Sequence, residues 1–134
     1  MRILAVDDEP IFLDILDVSL KGLGFSDVSY AYSAKEALRE LDVSNATFDC
    51  ILLDIRMPGM DGVELCQRIR AMSRYRRVPI MMVTSMSDRH YIDGAFAAGA
   101  TDYLSKPIDP IELKVRMGVM ERLTMEGLRN QLLE

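Results

Sequence analysis

Asp54 closes the apolar run Cys50-Ile51-Leu52-Leu53 and is followed by Ile55-Arg56-Met57-Pro58-Gly59-Met60-Asp61-Gly62. Four apolar residues ending in one carboxylate, with a Pro-Gly turn behind it, read as the exit of a strand buried on both faces. Working groups of open α/β sheets gather at the carboxyl ends of strands, so Asp54 is a site candidate, with a plain turn residue as the alternative. Two more acids, Asp7 and Asp8, close the run Ile3-Leu4-Ala5-Val6. A hydroxyl, Thr84, closes Val78-Pro79-Ile80-Met81-Met82-Val83, and Lys106 follows the short run 101–104.

Three carboxylates brought together repel one another, at about 4 kcal/mol per pair for a separation of about 4 Å and an effective dielectric near 20. A hard dication such as Mg2+ offsets this, taking one or two carboxylates as ligands and leaving positions for water and a phosphate oxygen. An acidic cluster relieved by raised pKa values or by Lys106 is the alternative. A hydroxyl donor and an ammonium are the groups that phosphoryl oxygens need around them. The set is suited to attack on phosphorus with an acyl phosphate as product: Asp54 as nucleophile, Asp7 and Asp8 as metal ligands, Thr84 and Lys106 at the phosphoryl group.

The elements that must position these groups follow from the chain. After the first strand, Pro10 suits a first helical turn, and Phe12, Ile15, Leu16, Ser19, Leu20 and Leu23 recur at helical spacing until Gly22 and Gly24. Residues 28–32 alternate as an edge strand does, and Ser33-Ala34-Lys35-Glu36 opens a helix with Ala37, Leu38 and Leu41 inward. Asp61 caps a third helix carrying Val63, Cys66, Ile69 and Arg70. A fourth starts near Ser87 or Asp88 and ends at Gly99-Ala100; Asp109-Pro110-Ile111-Glu112 starts a fifth. Five strands alternating with five helices predict an α/β fold: a flavodoxin-like, doubly wound, five-stranded parallel sheet of order 2-1-3-4-5 with an extended C-terminal helix. Its switch point, between the first and third strands, brings Asp7, Asp8 and Asp54 together.

The chain has 134 residues, the size of one domain, and a net charge of −5. That charge argues against direct nucleic-acid binding, which needs clustered cations. Arg70, Arg74, Arg76 and Arg77 read as a solvated helix end. Cys50 and Cys66 lie in apolar segments without metal-ligand spacing and read as buried free thiols. No apolar run approaches the roughly 20 residues that cross a bilayer, and no signal-peptide pattern opens the chain, so the expected setting is the cytoplasm.

Taken together, these residues resemble the receiver domain of two-component response regulators over about residues 2–122. The resemblance rests on Asp7-Asp8, Asp54 with Met57-Pro58-Gly59-Met60-Asp61-Gly62, Thr84-Ser85, Gly99-Ala100, and Tyr103 with Lys106-Pro107. It implies a phosphoacceptor regulatory domain rather than an enzyme acting on separate substrates, with a sensor histidine kinase or phosphotransfer protein as partner. By the same resemblance, Asp54 accepts the phosphoryl group from a phosphohistidine, and Asp7, Asp8, Asp54 and the backbone carbonyl of Arg56 hold Mg2+. Thr84 and Lys106 bind the phosphoryl oxygens, and the peptide between Lys106 and Pro107 is cis. Tyr103 turns inward as Thr84 moves, which changes the face made by the fourth helix, fifth strand and fifth helix. Arg56 and Met86 are expected to tune the access of water to the acyl phosphate.

An aspartate-nucleophile phosphohydrolase needs a second acid two residues after the nucleophile, where this chain has Arg56. A calcium loop opening at Asp54 fails at Arg56, Pro58 and Leu65, which would have to supply oxygens. A receiver-like domain that is never phosphorylated usually lacks part of the acid, hydroxyl and lysine set, which is whole here. The receiver is assigned to residues 1–122. Residues 123–134 form an extension of the last helix with Met125, Leu128 and Leu132 at coiled-coil spacing. That extension is expected to link to an output domain absent from this chain or to form a dimer contact, with a frayed tail, given Gly118 and Gly127, as the alternative; the face of the fourth helix, fifth strand and fifth helix is a second candidate dimer surface.

Overall fold

A computed structural model describes the backbone of residues 1–43, 45 and 47–133. The elements in chain order are β1 (Ile3–Val6), α1 (Pro10–Gly22), β2 (Val28–Ala31), α2 (Ala34–Val43), β3 (Cys50–Asp54), α3 (Gly62–Ala71), β4 (Ile80–Thr84), α4 (Ile92–Ala97), β5 (Asp102–Ser105) and α5 (Pro110–Leu133). Two 3-10 helices, Ser73–Tyr75 and Met86–Tyr91, flank β4. All strand pairs are parallel, and the order is β2-β1-β3-β4-β5, as the alternation of elements predicts.

Every residue of β1, β3 and β4 is buried, because helices cover both sides of the central strands. The period-2 alternation of strand side chains divides the interior into two cores. Leu4, Val6, Ile51, Leu53, Ile80 and Met82 face the side that holds Ala37, Leu41, Cys66 and Ile69 of α2 and α3. Ile3, Ala5, Leu52, Met81 and Val83 face Leu13, Leu16 and Leu20 of α1 and Leu113, Met117 and Met120 of α5. The expected caps are present. Ser33 Oγ accepts from Glu36 N at 3.1 Å, Asp61 Oδ1 from Glu64 N at 2.9 Å, and Asp109 Oδ1 from Ile111 N at 2.8 Å.

Two expectations need correction. The fourth helix is α-helical only over Ile92–Ala97, and its first part, Met86–Tyr91, is a 3-10 helix. Asp88 spends its carboxylate on other side chains, accepting from Ser85 Oγ at 2.8 Å and pairing with Arg56 at 3.4 Å, while its N–H donates to Ser85 O at 3.0 Å in the i to i+3 pattern. Nor is Arg70 solvated. Its Nε and Nη2 donate to Gly99 O at 3.0 and 2.7 Å, and its Nη1 to Tyr75 O at 2.9 Å, tying the end of α3 to the end of α4. Burial pulls its pKa below the usual arginine value. Cys50 and Cys66 are buried free thiols, and burial, with Asp49 adding to it, pushes Cys50 up to about 12.

Candidate functional site

The register of the central strands assembles the site. β1 and β3 lie side by side with Val6 beside Leu53, and β3 and β4 with Asp54 beside Val83. The residues that follow β1, end β3 and end β4 therefore meet at one edge. One oxygen from each of Asp7, Asp8 and Asp54 lies within 4.8 Å of the others. Asp7 and Asp54 are 1% and 5% exposed, so both charges are largely out of water, while Asp8 is half-buried.

Lys106, just past β5, reaches across to this cluster. Its Nζ lies 2.8 Å from Asp7 Oδ2 and 3.5 Å from Asp54 Oδ1, and it stands 4.2 Å above the Phe12 ring of α1. The Lys106 N–H donates to Thr84 O at 2.8 Å, and the peptide to Pro107 is cis. Burial alone would lower the Lys106 pKa, but the Asp7 and Asp54 carboxylates outweigh it and hold the ammonium above the ordinary lysine value. Burial first, and then the Asp7 charge, push Asp54 up to about 7, against the opposing pull of Lys106. Both forms of relief weighed for an acidic cluster are thus present: a neighbouring ammonium and a carboxyl whose charge is disfavoured.

The relief is incomplete. Asp7 Oδ1 accepts from Glu9 N at 2.9 Å and Asp7 Oδ2 pairs with the Lys106 ammonium at 2.8 Å, so among the described residues one ammonium faces a cluster of three carboxylates. A buried carboxylate oxygen left in this condition, beside two more carboxylates, is the donor chemistry that a hard divalent cation takes. The residues present fit such an ion.

Thr84 is fully buried, and its hydroxyl donates to the backbone carbonyl of Ser85 at 3.1 Å rather than to Asp54. Tyr103, in β5, lies beside Met82 of β4 and is half-buried. Its hydroxyl accepts from Arg89 Nη2 at 2.9 Å, and Phe96 of α4 meets its ring edge-on at 6.4 Å. Arg56 is exposed at the mouth of the site, paired with Asp88 at 3.4 Å and 5.7 Å over the Tyr91 ring. The side chain of Met86 lies outside the described residues. His90 is exposed on the 3-10 helix.

Three contributors escaped the reading of the sequence. Gly62 was legible only as the start of α3; a Cβ there would lie 2.0 Å from the backbone oxygen of Asp54, so the helix can press on the end of β3 only without a side chain. Phe12 carried a helical-core signal and nothing to place it under Lys106. Arg89 had no signal at all, because its contact with Tyr103 depends on the 3-10 geometry of its segment.

A doubly wound parallel sheet with an acidic pocket at its switch point, a strand-end hydroxyl and a cis-peptide lysine defines a class of α/β signalling domains. The chain belongs to the response regulator receiver domain family, whose model matches residues 3–117. It is 34% identical over 120 residues to the chemotaxis protein CheY1 of Helicobacter pylori, covering 90% of this chain and 96% of that protein. It is also 38% identical over 118 residues to the DNA-binding response regulator MtrA of Mycolicibacterium smegmatis, covering 87% of this chain but 48% of MtrA. Among solved structures, chemotaxis protein CheY4 of Vibrio cholerae superposes with a TM-score of 0.78 at 31% identity, covering 91% and 97% of the two chains. The receiver domain of a sensor histidine kinase from Pseudomonas aeruginosa, described with a magnesium ion in its active site cleft, superposes with a TM-score of 0.77 at 31% identity over 92% and 96%. No helix among the described residues is long and apolar enough to cross a membrane.

Proposed function

We propose that this receiver domain is a phosphoacceptor switch in which Asp54 takes a phosphoryl group from the phosphohistidine of a sensor kinase or phosphotransfer protein. The carrying observation is the buried Asp54 carboxylate, grouped with Asp7 and Asp8 and 3.5 Å from the Lys106 ammonium. An Asp54 oxygen forms the new bond to phosphorus as the bond from phosphorus to the histidine nitrogen breaks, and the leaving imidazole keeps the electron pair and takes up a proton. Asp7, Asp8, Asp54 and the backbone carbonyl of Arg56 would hold Mg2+, which would supply positive charge against the carboxylates and the phosphoryl oxygens. Lys106 already stands between Asp7 and Asp54, so it meets a phosphoryl oxygen on Asp54 with little rearrangement.

The switch follows from charge. A phosphoryl group brings about 1.5 to 2 negative charges. Thr84 exchanges its bond to the Ser85 carbonyl for a charge-assisted one to a phosphoryl oxygen, and Tyr103 leaves Arg89 to fill the space behind it. The surface of α4, β5 and α5 changes as a result, and a partner reads it. Residues 1–122 form this unit, and residues 123–134 lead from it toward an output domain or a second copy.

Incubation with a small phosphodonor and Mg2+, followed by intact mass, is expected to add one phosphoryl group to the wild type and none to Asp54→Asn. Equal labelling of the two proteins, or no labelling of the wild type, would overturn the proposal.

A further inference from the structure

Outside the acidic cluster, the exposed side of α5 carries an apolar stripe. Leu113, Met117 and Met120 turn into the core, and Thr124 Oγ1, 3.1 Å from Asp49 O and 3.0 Å from Met120 O, is the last contact with the body among the described residues. Beyond it Met125, Leu128 and Leu132 are 63%, 49% and 87% exposed, and Met125 sits in a shallow groove edged by Glu121, Arg122, Glu126 and Arg129. Gly118, Met125 and Leu132 are seven residues apart, which places them on one stripe, on the side of α5 away from the core.

We infer that this stripe pairs with the same stripe of a second copy of this chain in antiparallel orientation, with the two-fold axis at Met125. This concerns a different surface from the phosphoacceptor site and holds or fails independently of it.

Two kinds of complementarity fix the occupant and its direction. With the axis at Met125, Glu121 lies opposite Arg129 of the partner subunit, and Arg129 opposite the partner subunit's Glu121. Leu132 lies opposite the partner's Gly118, a position where an added Cβ would meet nothing within 4 Å, so the space there is open to it. A parallel pair would set Glu121 against Glu121, Arg129 against Arg129, and Gly118 against Gly118, with repulsion at two levels and a gap at the third. Each body packs on the Leu113 side of its own helix, and the overlap, residues 117–133, is about 25 Å long at 1.5 Å per residue. A two-helix contact of this length is at the small end of specific interfaces, so the association is expected to be weak and concentration-dependent.

Sedimentation of the full chain over a concentration series up to about 1 mM tests this. The wild type is expected to pass from monomer to dimer. Glu121→Arg and Arg129→Glu each turn both Glu-Arg pairs into like-charged pairs and are expected to weaken the dimer about tenfold or more, while the double variant restores it. Gly118→Leu is expected to abolish the dimer without loss of helix content by circular dichroism, since an added Cβ there meets nothing within 4 Å in the single subunit. In oxidised protein carrying Gly118→Cys and Leu132→Cys, position 132 is expected to cross-link to position 118 of the other copy. A wild type that stays monomeric, a double variant no better than the singles, or preferential cross-linking of 132 to 132 would each overturn the inference.

Discussion

At the scale of single residues, Asp54 is held in a condition that a bound divalent cation would relieve. Its folded pKa is about 7, against about 3.9 for an unfolded aspartate. Between those values the folded chain binds more protons than the unfolded one, so stability falls as pH rises through that window. The raised Lys106 pKa has the same sign of slope, but its contribution is lost only in the alkaline range, above the ordinary lysine value. Chelated protein should therefore be less stable at pH 8 than at pH 5, and Asp54→Asn should remove most of that slope. The variant should gain on the order of 2 kcal/mol at pH 8, after a discount for the solvent that reaches the mouth of the site. Urea unfolding in EDTA at the two pH values measures this; an unchanged slope in the variant would show that Asp54 ionises normally. Mg2+ at pH 8 should stabilise the wild type more than the variant, since it binds folded protein and needs the carboxylate.

At the scale of elements, the decisive contact is the start of α3 against the end of β3. Gly62 N donates to Ile55 O at 2.8 Å, and the Cα of Gly62 sits where a methyl group would strike the Asp54 carbonyl. Because the obstacle is backbone at the centre of a sheet, neither side gives easily. Gly62→Ala is expected to cost about 3 kcal/mol, at the upper end for overpacking, and about 10 °C in Tm. Gly94→Ala, in α4 with nothing within 4 Å, should be neutral or stabilising by up to about 1 kcal/mol. Thermal melts of the two variants separate the close approach from the general effect of replacing glycine. The motif around Asp54 was readable because its turn, cap and strand signals are local. The reason for Gly62 was not, since it lies in a distance between elements eight residues apart. The 3-10 course of Met86–Tyr91 was hidden for a related cause: the carboxylate that should have capped a helix is diverted to Ser85 and to Arg56 in another loop.

At the scale of the whole molecule, the sheet order was legible because alternating strands and helices leave few parallel topologies, and the buried runs of β1, β3 and β4 mark the central strands. The meeting of Asp7, Asp8 and Asp54 follows from that order alone. What the order does not contain is the direction of the long side chains, which is why the sequence leaves Arg70 in solvent and gives no position for Arg89. The same limit applies to α5, whose periodicity runs across the point where it leaves the body. Thr124 is the last residue seen to tie α5 to the sheet, and the apolar side chains described beyond it are exposed. Removal of residues 125–134 should therefore leave the folding core nearly intact. At about 5 µM, where a weak dimer is dissociated, the truncated chain should melt within about 4 °C of the full chain, a difference below about 1 kcal/mol. It should also take up the phosphoryl group on Asp54 as fast. A much larger fall in Tm would mean that the end of α5 stabilises each subunit by itself, and a slower phosphorylation would place it in communication with the acidic pocket.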